Sequence, residues 1–359
     1  MSLLQWRRSY SFWHLFLPQI ASNSLLIILF LSFFFHEGKA QKRGTYRVVT
    51  YNLENLFDTV LQPGGKDSNF TPSGKFQWNS LRYQTKLSNL SKVITSVCDT
   101  FPLLFLAINE VENKNVIRDW LKQPAMKKFN LSYIHFDSVD PRGMDVALLY
   151  NKKIFRPKHK SVIQPYFDFD SAYKARGILY VAGKFGKQKL HVFVNHWSSR
   201  SGGAVKSEPR RIATAQLLKK KLDEIRKQEA DPKILLLGDF NDPPHAPSLT
   251  DYLGVKRHLL ALKKNDLFNL MADASEKGGF TFDYQGEQDM LDQIIVSENF
   301  VRSSCQLCIY KNSGYVFQPK WLFYKSSKYG VIPFRTFEGE KYVGGFSDHL
   351  PVYCDVVVK

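Results

Sequence analysis

Hydrophobic residues along the chain form short continuous runs, and several of these runs end at a polar residue. Tyr46–Tyr51 ends at Asn52, and Leu103–Ile108 is followed by Asn109 and Glu110. Strands that are apolar throughout are buried on both faces, as in sheets covered by helices. Similar runs predict further strands at Met144–Tyr150, Gly177–Phe185, Lys189–His196, Lys233–Leu237, Leu291–Val296 and Pro351–Val358.

Two segments repeat apolar residues at three- and four-residue spacing, which predicts amphipathic helices. The first is expected to be capped by Asn79 or Ser80 and contains Leu87, Leu90, Ile94 and Val97. The second has Pro209 near its first turn, where proline is tolerated, and contains Ile212, Ala215, Leu218, Leu222 and Ile225. Loops are predicted at 61–77, 240–249 and 310–335. This alternation of buried strands and helices predicts one α/β domain, with sheets covered by helices.

The first 40 residues differ from the rest of the chain. Arg7 and Arg8 precede the apolar stretch Leu25–Phe35, and the small residues Gly38 and Ala40 follow. A basic start, a short apolar run and small residues before a cleavage point are typical of a secretory signal peptide. We therefore expect cleavage after Ala40 and a secreted or periplasmic domain at 41–359. A retained anchor and a misassigned start codon remain alternatives.

The chain is strongly basic. It has 50 Lys and Arg against 33 Asp and Glu, a net charge of +17. Cleavage after Ala40 would remove Arg7, Arg8, Lys39 and Glu37, a net charge of +2, and leave +15. Such a charge favours polyanionic partners. It does not distinguish nucleic acid from an anionic membrane or a cell-surface polymer, and a merely soluble basic protein is also compatible with it.

The four cysteines do not predict a zinc site. Cys305 and Cys308 have the spacing of half a metal knuckle, but the other two, Cys98 and Cys354, supply no second pair. Because export permits disulfides, we expect Cys305 and Cys308 to form a local disulfide or to be buried thiols.

Polar residues with ligand or proton-transfer chemistry recur where the predicted strands end. One aspartate after a strand is usually a turn former, whereas six such positions together indicate a site. Carboxylates and amide oxygens suit Mg²⁺, Mn²⁺ or Ca²⁺, and two histidines suit acid–base chemistry or charge stabilisation on a phosphate. The six positions are Asn52, Glu110, Asn195-His196, Gly238-Asp239-Phe240-Asn241-Asp242, Asp292 and Asp348-His349.

In this order the motifs resemble those of the endonuclease/exonuclease/phosphatase superfamily over roughly residues 46–358. Its members include pancreatic-type deoxyribonuclease, apurinic-site endonucleases, neutral sphingomyelinases and inositol polyphosphate 5-phosphatases. The resemblance implies a four-layered α/β sandwich with two packed, mainly antiparallel β-sheets flanked by helices. The matching segments are Tyr51–Phe57, Asn109–Asn113, Val194–Trp197, Gly238–Asp242, Leu291–Ile294 and Ser347–Pro351.

The resemblance also implies a division of roles around a metal ion. Glu110 resembles the principal metal-ligating glutamate, with Asn52 beside it and Asp348 as a further contributor. Asp239 resembles the aspartate that positions or activates the attacking water. Asn241 resembles the amide that holds the phosphate or the nucleophile.

The histidines complete the implied site. His349 resembles the histidine that faces the scissile phosphate, and Asp292 the carboxylate that orients it. His196 resembles a second phosphate-facing histidine of the deoxyribonuclease and sphingomyelinase branches; apurinic endonucleases have a tyrosine there. Arg142 and Arg176 are candidate substrate-binding residues because arginine pairs well with phosphate, although each is equally compatible with an ordinary turn.

The resulting expectation is an Mg²⁺-dependent phosphodiesterase, with Mn²⁺ or Ca²⁺ as alternative ions, acting as an endonuclease on DNA or RNA. The alternative substrate is a lipid or small phosphorylated metabolite, since fold and catalytic core do not set the substrate. A binding protein with a decayed site is disfavoured because every motif keeps its polar residue. We expect a monomer with no obligate protein partner, and membrane association remains open.

Overall fold

Two seven-stranded β-sheets, packed against each other through a shared core, carry the fold. The computed structural model describes residues 44–62, 67–312 and 314–359, and the predicted leader lies outside these residues. The strands are β1 (Gly44–Leu56), β2 (Leu103–Val111), β3 (Leu131–His135), β4 (Asp145–Asn151), β5 (Phe155–Ile163), β6 (Ile178–Phe185), β7 (Gln188–His196), β8 (Lys233–Asp239), β9 (Val255–Lys256), β10 (Leu267–Asn269), β11 (Phe282–Tyr284), β12 (Glu287–Asp289), β13 (Asp292–Ser297), β14 (Leu307–Ile309), β15 (Tyr315–Val316), β16 (Phe323–Ser326), β17 (Gly330–Pro333), β18 (Phe337–Glu338), β19 (Lys341–Tyr342) and β20 (Val352–Val358).

The apolar runs that the sequence predicts as strands form the central strands of each sheet. The first sheet runs β14-β20-β1-β2-β4-β3, with β15 also paired to β20, and the second runs β5-β6-β7-β8-β13-β10-β9. Only β1–β2, β7–β8 and β9–β10 are parallel pairs within these sheets. The prediction of two packed, mainly antiparallel sheets is therefore confirmed.

Apolar runs are buried on both faces of the central strands. In β1, Val48 packs into the core between the sheets, whereas its neighbour Val49 packs on the outer face of the first sheet. Both are fully buried. Burying one such side chain contributes about 1.5–3 kcal/mol. The continuous apolar run, rather than an alternating one, is thus what a strand between two packed layers requires.

Helices cover the outer faces and complete the four layers. The helices are α1 (Ser80–Val97), α2 (Lys114–Lys122), α3 (Pro124–Lys127), α4 (Ala204–Gln228) and α5 (Ala272–Glu276). The predicted cap of α1 is confirmed, because the Asn79 side chain accepts from Arg82 N at 3.1 Å. No helix within the described ranges is both long and apolar enough to cross a membrane.

Helix α4 begins earlier than expected, so the predicted position of Pro209 was wrong. The helix starts at Ala204, which puts Pro209 inside it rather than near its first turn. Proline lacks the N–H that would bond to the carbonyl four residues earlier, at Val205. Val205 is 83% exposed, so water has access to that residue. The apolar repeat located the helix from Ile212 onward but gave no signal for its first two turns.

One region differs from its predicted state, and the cysteine pair agrees with one of its two predicted states. The segment 310–335, expected to be a loop, contains β15, β16 and β17, and β16 pairs with β17 as a hairpin. Strands of two to four residues are too short to show a periodic pattern. Cys305 and Cys308 form a local disulfide rather than two buried thiols, and Cys98 and Cys354 are free and buried.

Gly238 provides a direct test of how the sheet positions Asp239. Its φ of +130° is one that L side chains rarely adopt, and a Cβ there would lie 2.0 Å from Asn195 O. We expect Gly238→Ala to lower the free energy of unfolding by at least about 3 kcal/mol through strain and clash together. Urea denaturation of the purified chain measures this change.

Gly254→Ala is the matched control. Gly254 also has a positive φ, +81°, but a Cβ there would meet no atom within 4 Å. Strain alone should cost about 1–2 kcal/mol. Equal losses for the two variants would show that close approach to Asn195 does not constrain position 238.

Candidate functional site

The strand register brings the predicted polar residues to one edge of the two sheets. Asp239 lies directly opposite His196 across the parallel pair β7–β8. It lies opposite Asp292 across the antiparallel pair β8–β13. In the other sheet, Asn52 is the partner of Asn109, which precedes Glu110. Asp239 is therefore the residue at which the strand ends of the second sheet meet.

Side chains from both sheets converge around the Asn52 amide. Asn52 Nδ2 lies 3.2 Å from Glu110 Oε1, 3.2 Å from Asp239 Oδ2 and 3.4 Å from His349 Nε2. The amide oxygen accepts from Glu54 N at 3.0 Å. Asn52 and Asp239 are buried, and the Glu110 side chain is 18% exposed. The site is thus closed on its inner side and open beside Glu110.

His196 faces the same two carboxylates across a gap. Its Nε2 is 3.8 Å from Glu110 Oε1 and 3.6 Å from Asp239 Oδ2. These separations exceed a hydrogen bond. The other ring nitrogen, Nδ1, is buried and has no hydrogen-bond partner among the described residues. His196 is thus aimed at the converging oxygens without being tied to any of them.

His349 is held more firmly than His196. Its Nδ1 is 2.6 Å from Asp292 Oδ2. Thr281 Oγ1 accepts from the backbone N–H of Asp292 at 3.0 Å, which fixes the start of β13. Ser347 Oγ donates to Asn52 O at 2.7 Å and accepts from His349 N at 3.1 Å. This chain of contacts ties the loop before β20 to the end of β1 and orients the imidazole.

Two site residues have left-handed backbone conformations. Glu110 has φ +62° and Asn241 has φ +51°. Such strain costs roughly 1–3 kcal/mol and concentrates at functional sites. Local contacts hold both positions: Asn55 N donates to Glu110 Oε2 at 2.9 Å, and Asn241 N donates to Asp239 Oδ1 at 2.8 Å. The backbone therefore orients both carboxylates.

The surroundings push the two histidines toward opposite protonation states. Burial, together with the positive charges of Arg176, Arg142 and His349, lowers the pKa of His196 well below its usual value. Burial alone would also lower the pKa of His349, but the Asp292 carboxylate outweighs it and raises the pKa to about 10. At neutral pH the site therefore holds one neutral and one charged imidazole.

The pKa of the Asp239 carboxyl is shifted toward neutrality. Burial raises the pKa of its carboxyl to about 6, although the positive charge of His349 acts in the opposite direction. The neighbouring carboxylates Asp292 and Glu110 raise it further. A carboxylate with a pKa close to neutrality can accept a proton and release it again within one reaction cycle.

The donor chemistry fits a hard divalent cation beside Glu110. Glu110 and Asp239 present carboxylate oxygens, a ligand type that Mg²⁺, Mn²⁺ and Ca²⁺ prefer. The Asn52 side chain turns Nδ2 toward them and its oxygen toward Glu54 N, so Asn52 offers a ligand oxygen only if its amide rotates. Asp348, predicted as a further ligand, is instead paired with Arg335, whose Nη2 lies 3.4 Å from Asp348 Oδ2. The geometry thus gathers Asn52 and Glu110 and leaves Asp348 at the side.

The two predicted arginines occupy different positions. Arg176 is buried and donates to His196 O at 3.1 Å, to Asp140 Oδ2 at 3.2 Å and to Trp197 O. Arg142 is half exposed and holds Asp140 through two hydrogen bonds of 3.1 and 2.8 Å. Arg176 therefore lies behind His196, whereas Arg142 is on the accessible side.

Sequence patterns did not predict the buried contacts of Glu54, whose backbone N–H holds the Asn52 side chain. Glu54, two residues on, accepts from Thr336 N at 2.7 Å and from Thr336 Oγ1 at 2.6 Å. The buried Lys86 lies 3.3 Å from Glu54 and donates to Phe346 O at 2.7 Å. Burial lowers the pKa of Lys86, against the pull of Glu54. Single Lys and Thr residues in helix and loop segments give no sequence signal of this kind.

Comparison with known proteins places this geometry in context. The sequence matches a family described as "Endonuclease/Exonuclease/phosphatase family" over residues 47–358. No curated protein matches at a significant level. The matched segment covers most of the chain and includes every strand end of the site.

Solved structures share the fold at low identity. The mannosyl-6-phosphatase of Bacteroides thetaiotaomicron is 17% identical with a TM-score of 0.54, covering 87% of this chain and 99% of that one. TDP2 from C. elegans is 13% identical with a TM-score of 0.53, covering 93% and 84%. The human Nocturnin catalytic domain with bound sulfate is 14% identical with a TM-score of 0.51, covering 89% and 97%.

Removing the charge of Asp292 should lower the pKa of His349, which NMR can measure. Asp292→Asn keeps the shape of the side chain but removes the charge that raises the pKa of His349. We expect that pKa to fall from about 10 toward the ordinary histidine range. NMR titration of the ring protons measures the change in the full chain.

Glu229→Gln is the matched control. Glu229 Oε2 lies 3.1 Å from Nε2 of another histidine, His191, so this variant should alter His191 and leave His349 unchanged. A His349 titration that is the same in Asp292→Asn and the unmodified protein would show that Asp292 does not set its charge.

Proposed function

The chain belongs to the endonuclease/exonuclease/phosphatase family, and from this premise we propose that it is an Mg²⁺-dependent phosphodiesterase that cleaves DNA or RNA. The hydrolysis of phosphoesters is the chemistry of that family. The observation that carries the proposal is the convergence of Glu110, Asp239, His196 and His349 around Asn52.

Glu110 would hold the metal ion, and Asn52 would join it through its amide oxygen after rotation of the amide turns Oδ1, rather than Nδ2, toward Glu110. When bound, a divalent ion supplies positive charge to a phosphoryl oxygen and to the leaving group. Glu110 is suited to this role because its backbone geometry and the Asn55 N–H fix the carboxylate at the open side of the site. Mn²⁺ and Ca²⁺ are the alternative ions for the same oxygen ligands.

Asp239 is the proposed general base. Its pKa of about 6 leaves it mostly ionised at neutral pH and still able to accept a proton from water. Asn241 N donates to Asp239 Oδ1, which leaves Oδ2 directed toward Asn52 and His196. A water molecule beside Oδ2 would then lie where the phosphate-facing groups converge.

The two histidines have complementary tasks in this proposal. His349, kept charged by Asp292, donates to a phosphoryl oxygen and stabilises the charge that develops there. His196, kept neutral, presents Nε2 across the gap of 3.6–3.8 Å and donates a hydrogen bond without adding charge. Arg142 is the proposed substrate contact. Arg176 positions His196 by donating a hydrogen bond to the backbone carbonyl of His196.

An aromatic cavity beside the site favours nucleic acid as the substrate. The cavity has a volume of ≈ 280 Å³, and Asn55 and Arg335 belong to both its wall and the surroundings of the site. Nucleobases stack on aromatic side chains, and this stacking tolerates any base. The strongly positive net charge favours polyanionic substrates in general. The aromatic residues of its wall are Phe70, Phe76, Trp78 and Phe337.

Export remains a proposal that rests on the pattern of residues 1–40. The disulfide between Cys305 and Cys308 is compatible with it, because disulfides persist in oxidising compartments. Amino-terminal sequencing of the protein recovered from outside the cytoplasm would identify the first residue after cleavage, which we propose to be Gln41.

A substrate panel tests the activity and its metal requirement. We expect plasmid DNA or RNA to be cleaved with Mg²⁺ at low salt, and EDTA to abolish cleavage until Mg²⁺ is restored. Glu110→Gln should reduce the rate by at least about 10²-fold, as expected for loss of one electrostatic stabiliser. Gel and fluorescence assays on equal enzyme concentrations measure both effects.

The same panel includes sphingomyelin and mannose 6-phosphate, the latter because the similar Bacteroides thetaiotaomicron protein is a mannosyl-6-phosphatase. Intact nucleic acids together with release of phosphate or phosphocholine would overturn the nuclease proposal in favour of a small or lipid phosphoester. Unchanged cleavage by Glu110→Gln would overturn the assignment of the metal site.

Phe76→Ala tests the aromatic cavity. Phe76 is partly exposed and lies against Phe337, with 4.7 Å between ring centroids. Loss of one stacking surface should weaken binding of single-stranded DNA roughly 5- to 150-fold. Anisotropy of a labelled oligonucleotide measures the Kd, with Glu110→Gln in all proteins to prevent cleavage.

Tyr310→Ala is the matched control, because Tyr310 is 45% exposed and does not line this cavity. It should leave the Kd unchanged. If the two variants bind DNA equally well while both remain folded by circular dichroism, the cavity is not a base-binding site.

A further inference from the structure

Three cationic side chains form a row across the outer face of the second sheet, at the end of its strands away from the catalytic cluster. Lys184 in β6 lies directly opposite Arg156 in β5 and opposite Lys189 in β7. All three side chains are exposed. Ala182, two residues before Lys184, belongs to the cluster between this sheet and α4, and side chains two residues apart share a face. These three cations on the outer face are called the cation row below.

The cation row works against the stability of the sheet. Cβ atoms of directly opposed residues lie about 4.5–5.5 Å apart, and like charges at that distance are destabilising. Within the described part of the chain, Lys189 pairs with Glu229, whereas Arg156 and Lys184 have no ion-pair partner. Glu229 therefore offsets one positive charge of the row, and an external anion would offset the other two.

Protection of the sheet edge does not account for the cation row. Charged side chains on an edge strand, lysine above all, prevent pairing with another chain. This explanation fits Arg156, because β5 is the edge strand of its sheet. Lys184 and Lys189 belong to β6 and β7, which are paired on both sides. The charges of these two lysines therefore require another explanation.

Helix α4 places two further basic residues beside the same face. Lys221 Nζ lies 5.7 Å from the centroid of the Tyr180 ring in β6. The Arg210 guanidinium lies 3.9 Å from the centroid of the Tyr173 ring, in the segment between β5 and β6. Residues eleven apart on an α-helix share one side and are about 16–17 Å apart along the axis. Both basic residues therefore face β5 and β6, on the side of α4 where the cation row lies.

The shape of this face favours a strand-like polyanion over a flat surface. An α-helix is about 10–12 Å thick, so α4 stands above the level of the cation row. A planar membrane that approaches this face would meet α4 first, whereas a nucleic acid can follow the step between helix and sheet. Arg210 pairs with Asp170 and Lys221 pairs with Glu224, so the unpaired positive charge is concentrated in the cation row.

We propose that the cation row binds backbone phosphates of a nucleic acid whose scissile bond lies in the catalytic cluster, an inference that rests on the proposed function. Lys189 lies near the start of β7 and His196 at its end, which separates them by about 23 Å. Phosphates of one DNA strand follow the helix axis at intervals of about 3.4 Å, so about seven base pairs cover that distance. A longer substrate reaches both places at once.

Salt-dependent binding of a DNA duplex of about 30 base pairs tests the proposal, because each phosphate contact adds about 0.9 to the slope of log Kd against log salt concentration. Every protein carries Glu110→Gln to prevent cleavage, and fluorescence anisotropy measures the Kd. The added pair Arg156→Gln/Lys184→Gln should lower the slope by about 2. Its unfolding temperature without DNA should not fall below that of the parent, because the substitutions remove opposed like charges.

Lys263→Gln/Lys264→Gln is the matched control. It removes the same charge from the loop between β9 and β10, near the opposite edge of this sheet. This variant should keep the slope of the parent. An equal fall in the two double variants would show that net charge alone sets the affinity, and would overturn the proposal.

Two other results would also overturn the proposal. One is an unchanged slope in Arg156→Gln/Lys184→Gln. The other is that vesicles of phosphatidylglycerol and phosphatidylcholine bind the parent but not this variant, while the duplex binds both equally. The binding readout is separate from hydrolysis. A chain that binds DNA through the cation row but cleaves no nucleic acid would overturn the proposed function alone.

Discussion

The site depends on one constraint, the register of the three strands that meet at Asp239. Asp239 is opposite His196 on one side and Asp292 on the other. Because side chains alternate along a strand, a shift of one residue in either pairing would turn the partner away. Gly238 permits this register, since a side chain there would meet the backbone of Asn195 at 2.0 Å. The geometry around Asp239 is thus a property of the sheet, and the loop before β20 adds His349 to it.

The electrostatic asymmetry of the site follows from what the sheet buries beside each histidine. His349 has a carboxylate at 2.6 Å, whereas His196 has a buried, unpartnered Nδ1 and the guanidinium of Arg176 behind it. In the proposed mechanism the same ring would therefore serve as a charged donor in one place and a neutral donor in the other. Groups whose surroundings separate their pKa values are how one site provides different proton-transfer roles.

Local patterns in the sequence predicted the central strands and the polar positions at their ends, whereas the two-sheet sandwich and the roles of the site residues were implied by the resemblance of the motifs to a known superfamily. Continuous apolar runs marked the central strands, and the polar residue after each run marked the end at which the site lies. Pro209 and the hairpin β16–β17 were misjudged because α4 begins with polar turns and four-residue strands have no readable period. Arg335 beside Asp348, and Lys86 beneath Glu54, depend on contacts between segments more than 10 residues apart in the chain. No pattern within a segment encodes such contacts.

A double-variant cycle tests the central claim that the strand-end residues act as one unit on one phosphate. The rate constant kcat/KM is measured with Mg²⁺ on the best nucleic acid substrate for Asp239→Asn, His349→Gln and the double variant. Each single change should cost about 10²- to 10⁴-fold, the usual contribution of acid–base groups, and the double variant should be little slower than the worse single variant. Losses that multiply in the double variant would show that the two residues act independently, and would contradict the account.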